Sequence, residues 1–190
     1  MFKLIKFALI LFLGVISCAC VNMVAVHELN QKANDYLEEG DLKSAISRLE
    51  ASVDLDGNIY ESRYNLASAY MQTGEFEKAL ENIQVALKLQ KNEPIVFYTH
   101  AVASQRVSEG IFEKKNDDGE IVPVPYHTEE DEKRAATRYV NLLKDANKSF
   151  NRYLELVPNA EDTQQIYELI KQNEENIAAK TQQYQIVSEE

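Results

Sequence analysis

The sequence is poor in the residues that build disulfides, metal sites and phosphate-binding surfaces. It has only two cysteines among 190 residues, Cys18 and Cys20, which are too few for a disulfide framework or a cysteine metal cluster. Basic residues are scarce as well, because 20 Lys and Arg stand against 31 Asp and Glu, for a net charge of −11. This balance argues against nucleic acid as a partner, since phosphate binding needs a basic surface. It also argues against broad adhesion to anionic lipid.

The sequence also lacks the short motifs that mark common active sites. It contains no HExxH, no GxSxG and no Walker-type phosphate loop. The three histidines, His27, His100 and His127, lie far apart along the chain, and segment 117–120 is too short and wrongly spaced for a calcium loop. We therefore predict no catalytic residue, no metal ligand and no cofactor, and we expect the chain not to be an enzyme.

One pattern recurs at a step of 34 residues. The first copy consists of Leu29, Ala33, Tyr36, Gly40, Ala45 and Leu49, and the second of Arg63, Ala67, Tyr70, Gly74, Ala79 and Ile83. Small residues let two helices approach closely and large residues fill the space that remains, while glycine favours the left-handed conformation that ends a helix. The pattern resembles the tetratricopeptide repeat. This resemblance implies stacked helix pairs with a concave surface and a role in holding other proteins.

Three repeat units account for residues 26–158, as 26–59, 60–93 and 94–158. The expected helix pairs are 24–39 with 42–55 in the first unit, and 59–73 with 76–90 in the second. The third unit starts at Pro94, which suits a first helical turn. Ala146 occupies in the third unit the repeat position that Ala79 occupies in the second. The two alanines are 67 residues apart, which is 33 more than one period. An insert of about residues 108–140 therefore separates the two helices of the third unit.

The insert has a pattern of its own. Gly110 predicts a helix end, and apolar pairs flank the segment 116–119, whose Asp-Gly step predicts a β-hairpin. Thr128 is a suitable N-cap for a helix from 129 to 157. Such a helix would be about 43 Å long, so its first turns should project beyond the stack.

The last segment, 159–190, predicts a capping helix (about 160–183) and a tail, with a partner-binding or self-associating helix as the alternative. Its narrow apolar stripe consists of Ile166, Leu169, Ile170 and Ile177, and its remaining face is polar, as the end of a repeat stack requires. The predicted fold class is therefore all-α: a tetratricopeptide-type α-α superhelix of about three repeats plus a C-terminal capping helix, with a β-hairpin-containing insert in the third repeat.

The first 17 residues have the layout of an export signal. Lys3 and Lys6 precede an apolar run of 10 residues, 7–16, which is short for a membrane span. The segment 15–18 then resembles the bacterial lipobox. This resemblance implies a lipoprotein signal peptide over 1–17, a lipid on Cys18 and a tether over 18–25. An uncleaved anchor over 7–26 is the alternative.

Either arrangement of the leader places the folded part outside the cytoplasm, because the lysines stay inside. Without its leader the chain has 18 basic and 31 acidic residues, a charge of −13. Lipidation of Cys18 leaves Cys20 as a single thiol near the membrane. Since Ala19, and not an aspartate, follows Cys18, the bacterial sorting pattern favours the outer membrane. We expect a bacterial cell-envelope protein, lipid-anchored and facing the periplasm or the cell exterior.

The first helix of each pair lines the concave surface in tetratricopeptide repeats, and this register predicts a partner-binding groove. Its residues are His27, Asn30, Asn34, Glu38, Tyr64, Ser68, Met71, Gln72, Tyr98, Val102, Gln105 and Arg106. Tyrosine, amide and arginine side chains are typical of recognition surfaces, although the same residues also suit an ordinary exposed helix face.

Repeats that clamp a chaperone's terminal carboxylate offer a specific test of this groove. Asn34 and Asn65 match the amide positions of that clamp, but its basic positions hold Asn30, Ile95 and Thr99. Burying an anion without a cation beside it is costly, so we do not expect this groove to bind the carboxylate tails of chaperones.

The predicted function is an envelope scaffold or assembly factor that is anchored in the membrane by its N-terminal lipid and binds a segment or helix of another protein. The alternative is a homo-oligomeric structural protein that associates through the long helix, at Tyr139, Val140, Leu142 and Leu143. A third hypothesis is a subunit of an envelope enzyme.

Overall fold

The structure is a computed structural model that describes residues 23–186. The predicted signal peptide, Cys18 and residues 18–22 of the predicted tether lie outside this range. The last three tether residues, 23–25, already belong to the first helix. Within residues 23–186, no helix combines the length and the apolar character needed to span a bilayer.

Seven helices and one hairpin make up the described residues. In chain order they are α1 (23–39), α2 (Leu42–Leu55), α3 (Tyr60–Thr73), α4 (Phe76–Leu89), α5 (Pro94–Phe112), β1 (Glu113–Lys115), β2 (Ile121–Pro123), α6 (Glu129–Leu156) and α7 (Thr163–Tyr184). Consecutive helices pack on one another, and the result is the predicted superhelix of three helix pairs with a final helix.

The turns between paired helices follow the repeated glycines. Gly40 has a φ of 78° and Gly74 a φ of 80°, the left-handed conformation that glycine adopts without strain. Beyond each glycine the next amide bonds back into the helix, as in the 2.9 Å bond from Glu75 N to Tyr70 O. The Asp41 carboxylate then accepts a hydrogen bond from Ser44 N at 3.1 Å and caps α2.

The core is a series of clusters, each shared by neighbouring helices. The clusters centre on Leu49 and Leu66, on Ile83 and Val96, and on Phe150 and Ile166. The repeated small positions are fully buried, as in Ala33, Ala45, Ala67, Ala79 and Ala146. This is the packing that the 34-residue pattern predicts, since each helix pair buries its apolar face only against the next pair.

Arg63 stands where the first repeat has an apolar leucine, and it lies beside the carboxyl end of α2. Its Nε donates to Gly57 O and its Nη1 to Asn82 Oδ1, both at 2.9 Å. A Cβ on Gly57 would come within 2.7 Å of Arg63 Nη2. The guanidinium is therefore held by two neutral oxygens, and the one from Gly57 lies just beyond the negative, carboxyl end of α2.

The hairpin prediction is confirmed. β1 and β2 are antiparallel, with Lys114 opposite Val122, and Gly119 has a φ of 81°. The Asn116 side chain accepts hydrogen bonds from Asp118 N at 3.1 Å and from Glu120 N at 2.8 Å. These bonds fix the turn that the Asp-Gly step requires.

The predicted end of α5 at Gly110 is wrong, and so is the projection of the long helix. α5 continues to Phe112 because Ile111 is buried there. α6 is capped by Thr128 as predicted, whose Oγ1 accepts from Asp131 N at 3.0 Å. It does not project, since α5 and α7 both pack along it.

The apolar residues of α6 that were predicted to carry self-association are consequently covered. Val140 is 1% exposed and Leu143 is 3% exposed, while Tyr139 and Leu142 are half-buried. Val140 and Leu143 of the surface predicted for self-association are therefore part of the chain's own core.

Candidate protein-binding groove

The predicted groove residues fall into two cavities and a filled stretch between them. The first cavity has a volume of about 640 Å³ and lies between α1 and α3. It contains His27, Asn30 and Asn34 of the predicted set. Asp56 and Glu61 also line it, and no Lys or Arg among residues 23–186 does. Its polar lining consists of amides, carboxylates and His27, beside the apolar side chains of Met23, Val26 and Ile59.

A chain of polar side chains supports this first cavity. Asn30 Nδ2 donates to Ser62 Oγ at 2.8 Å, and Ser62 Oγ lies 2.9 Å from Ser52 Oγ. Both serines are fully buried. Asn30 Oδ1 is also buried, and it has no hydrogen-bond partner among the described residues. An unpaired buried oxygen costs free energy, so this part of the polar chain is less stable than the bonded serines beside it.

The second cavity has a volume of about 420 Å³ and lies between α5, α6 and α7. It contains the four predicted residues of α5, namely Tyr98, Val102, Gln105 and Arg106. Its other lining residues include Tyr139 and Leu143 of α6 and Gln165, Leu169, Gln172, Asn173 and Asn176 of α7. We call this cavity the amide groove, since amide side chains dominate its α7 wall.

The sequence prediction did not place α7 in the groove, since it interpreted this helix as a cap, with a partner-binding or self-associating helix as the alternative. The signal was nevertheless present: positions 165, 169, 172, 173 and 176 recur at helical spacing and hold amides and one leucine. α7 thus packs on the third pair as the first helix of a further repeat would.

Two hydrogen bonds tie this wall to the third pair. Gln105 Nε2 donates to Asn173 Oδ1 at 2.9 Å, and Asn173 Nδ2 donates to Asn147 Oδ1 at 2.7 Å. Asn173 is only 3% exposed. A single buried amide on α7 therefore joins α5 and α6 and sets the width of the amide groove.

The remaining predicted residues line neither cavity. Glu38 and Gln72 are exposed and Ser68 is half-buried. Tyr64 stacks on Tyr60 with ring centroids 6.0 Å apart, and Met71 packs against two of the core clusters. Tyr64 and Met71 thus fill the middle of the concave side, where the register predicted open groove.

Charges in the amide groove are balanced. Arg106 Nη1 lies 3.0 Å from Glu109 Oε2, in a pair that is largely exposed. Burial, and secondarily the Glu109 carboxylate, raises the pKa of Tyr139, so its hydroxyl stays protonated at neutral pH. The groove presents neutral donors and acceptors together with aromatic and aliphatic surface.

An aromatic cluster closes the far end of this groove. The Phe112 ring lies 5.6 Å from the Tyr139 ring and 6.1 Å from the Tyr184 ring, and Lys180 Nζ lies 4.0 Å from the Phe112 ring centroid. Tyr184 donates a 2.6 Å hydrogen bond to Glu132. This bond, together with burial, raises the pKa of Tyr184 to about 12.

His100 lies in the core of the third repeat unit. It is 7% exposed, and its Nδ1 lies 2.9 Å from Ser149 Oγ. Burial lowers its pKa from the ordinary 6.5, while the Asp145 carboxylate opposes that shift. Among residues 23–186, no group of three or more His, Cys, Asp and Glu side chains is placed to hold a metal ion.

Comparison with known proteins is consistent with this geometry. Residues 36–101 match the family model described as a tetratricopeptide repeat. DnaJ homolog subfamily C member 3 of Homo sapiens is 32% identical over 90 residues, and its Mus musculus counterpart matches to the same extent. The match covers 47% of this chain and only 18% of the human relative.

Solved structures share the fold at low sequence identity. The C-terminal TPR-containing domain of a Plasmodium falciparum FK506-binding protein has a TM-score of 0.59 at 16% identity, over 83% of this chain and 93% of that domain. The Arabidopsis OM64 TPR domain has a TM-score of 0.57 at 14% identity, over 80% and 98%.

The first TPR of Spaghetti (RPAP3), in a structure bound to the HSP90 peptide SRMEEVD, has a TM-score of 0.55 at 19% identity, over 80% of this chain and 93% of that one. Residues 36–101 of the present chain therefore match the tetratricopeptide-repeat model, and the described residues fold as a superhelix of the tetratricopeptide type.

Proposed function

We propose that this chain is a membrane-anchored envelope scaffold that binds an extended, uncharged segment of a partner protein in the amide groove. The tetratricopeptide fold generally serves protein interaction rather than catalysis, and a fold alone does not name a ligand. The observation that carries the proposal is the wall of neutral amides facing tyrosines across a cavity of about 420 Å³.

This lining suits the backbone of an extended segment. A peptide backbone offers one N–H and one C=O per residue, and Gln and Asn side chains supply both complementary groups. Tyr98 and Tyr139 add broad, rigid contact surface at small entropic cost. Arg106 is the single cation that lines the groove within the part of the chain that the structure describes, and it is paired with Glu109. The groove therefore has no strong preference for a charged segment.

The N-terminal cavity disfavours acidic tails of the kind present in the RPAP3 structure. The three positions that are basic in repeats with a carboxylate clamp hold Asn30, Ile95 and Thr99 in this chain. Asn30 is neutral, and Ile95 is apolar and 45% exposed. The Thr99 hydroxyl donates a 2.8 Å hydrogen bond to Ile95 O in its own helix. Asp56 and Glu61 add negative charge to the cavity lining. An acidic terminus would be desolvated there without a cation, so we expect a different partner class.

Site-specific cross-linking in cells tests the groove. A photo-reactive amino acid at Gln172, which lines the amide groove, should cross-link to one reproducible protein. The same substitution at Gln164, exposed on α7 and bonded at 3.3 Å to Glu168, is the matched control. Adding Gln165→Ala and Tyr98→Ala should abolish the product, and equal cross-linking from both positions would refute the groove.

Membrane attachment through Cys18 is the second part of the proposal, and its support is the leader sequence. The basic start, the apolar run of 10 residues and the lipobox-like segment 15–18 occur in the order that lipidation requires. The Cys18→Ser variant should leave the membrane fraction and lose fatty-acid labelling. Persistent membrane association of that variant would instead favour an uncleaved anchor over 7–26.

A further inference from the structure

A larger cavity, which we call the convex cleft, opens on the side of the stack opposite the amide groove. It has a volume of about 790 Å³ and lies between α4 and α6, the second helices of the last two pairs. In a curved stack the second helices diverge on the outer side while the first helices close up on the inner side. The cleft is therefore a product of the superhelix itself.

The rim of the convex cleft is basic, although the whole chain carries a net charge of −11. Four cations line it, namely Lys88, Lys91, Lys148 and Arg152. The acids that line it are Asp145 and Glu155, and Glu155 pairs with Arg152 at 2.8 Å. None of the three lysines forms an ion pair within the part of the chain that the structure describes.

The floor of the convex cleft is apolar. Leu87 of α4 and Phe97 of α5 line it and are both half-buried. The Arg152 guanidinium lies 6.0 Å from the Phe97 ring centroid, and the half-buried ring also lines the cleft. His100 Nδ1 and Ser149 Oγ hydrogen-bond each other at 2.9 Å. This pair therefore leaves no unpaired polar group on the floor of the cleft.

We propose that the convex cleft binds an acidic segment of a second partner protein, with an apolar side chain on Leu87 and Phe97 and carboxylates against Lys88, Lys91 and Lys148. Charge complementarity selects the sign of the partner, and an aromatic or aliphatic anchor in a pocket supplies most of the binding energy of such contacts. The proposal concerns a different face from the amide groove and does not depend on it.

A second copy of this chain is the less suitable occupant. The cleft lies on one face, and the acidic surface that would enter it lies elsewhere on the molecule. Such a contact is heterologous, so it would propagate into open assemblies unless the rotation happened to close. A separate protein with an acidic segment fits the cleft without that consequence.

Fluorescence anisotropy with a designed probe tests the proposal on the full chain in detergent. The probe is a dye-labelled peptide of sequence Glu-Glu-Phe-Glu-Glu-Leu. We expect saturable binding that weakens about tenfold in the Lys88→Gln, Lys148→Gln double variant, since two surface ion pairs are lost. Replacing the Phe and Leu of the probe by Ser, or its Glu by Gln, should weaken binding by a similar factor or more.

Matched variants make the result specific. Lys43→Gln with Lys133→Gln removes two exposed lysines outside the cleft and should leave the affinity unchanged, as should Gln172→Ala in the amide groove. Equal losses in both lysine double variants, or no saturable binding of the probe, would overturn the proposal. So would light scattering that shows an oligomer dissolved by Lys88→Gln with Lys148→Gln, because a second copy would then be the occupant.

Discussion

Replacing Asn173 by alanine should loosen α7 from the third helix pair and widen the amide groove. The substitution removes the hydrogen bonds to Gln105 and Asn147 at 2.9 and 2.7 Å, each with a net value of about 1 kcal/mol. Both partners are half-buried, so water can replace the lost amide and limit the penalty. We expect the free energy of unfolding to fall by about 2 kcal/mol, which corresponds to a decrease in Tm of about 4–8 °C for a chain of this size.

Urea unfolding followed by circular dichroism measures this change, with Asn176→Ala as the control. Asn176 lines the same groove, but the described residues show no side-chain hydrogen bond for it, so its loss should cost at most about 0.5 kcal/mol. Cross-linking from Gln172 should decrease in the Asn173 variant and persist in the control. If both variants unfold at the same urea concentration, the amide does not hold the wall and the reasoning fails.

Three further predictions use the same unfolding assay. Phe150→Ala empties a fully buried position and should cost about 3–5 kcal/mol, whereas Tyr167→Ala, at a residue 53% exposed, should cost little; similar losses would contradict the assigned core. Gly74→Ala should destabilise by about 1 kcal/mol, because its φ is 80°. Gly110→Ala, inside α5 with open space around it, should instead raise the free energy of unfolding by up to about 1 kcal/mol. A change of the same sign in both glycine variants would contradict this reasoning. Burial lowers the pKa of His100 below the ordinary 6.5, so the unfolded chain takes up a proton before the folded chain does. The free energy of unfolding should therefore fall as pH drops from 6.5 towards the lowered pKa, and His100→Gln should flatten that slope; an unchanged slope would exclude this residue.

The repeat core could be predicted from the sequence because its determinants are local. Ala33 and Leu49 recur with their equivalents at a fixed step, and each cluster involves only neighbouring helices. The positive φ at Gly40 and the turn at Gly119 likewise follow from short sequence signals. These features required no knowledge of distant contacts.

The end of α5 and the amide groove depended on contacts that the sequence does not display. At Gly110 the helical penalty of about 1 kcal/mol is offset by burial of Ile111, which stabilises by about 2 kcal/mol. Motif register predicts which helix face points inward, but it does not predict the spacing between helices, so the filling of the concave side by Tyr64 was not foreseen. The polar composition of α7 indicated an exposed cap and concealed the buried role of Asn173.

The last turns of α7 pack on the helical turns that the insert adds to α5 and α6. They reach Phe112 through Lys180 and Glu132 through Tyr184, which are residues that a repeat without the insert would not place there. Shortening α7 alone, or the insert alone, would leave the other segment uncovered and would expose aromatic side chains to solvent. In related sequences the two segments should accordingly be gained, lost or trimmed together, and a natural chain with one but not the other would show that they evolve independently.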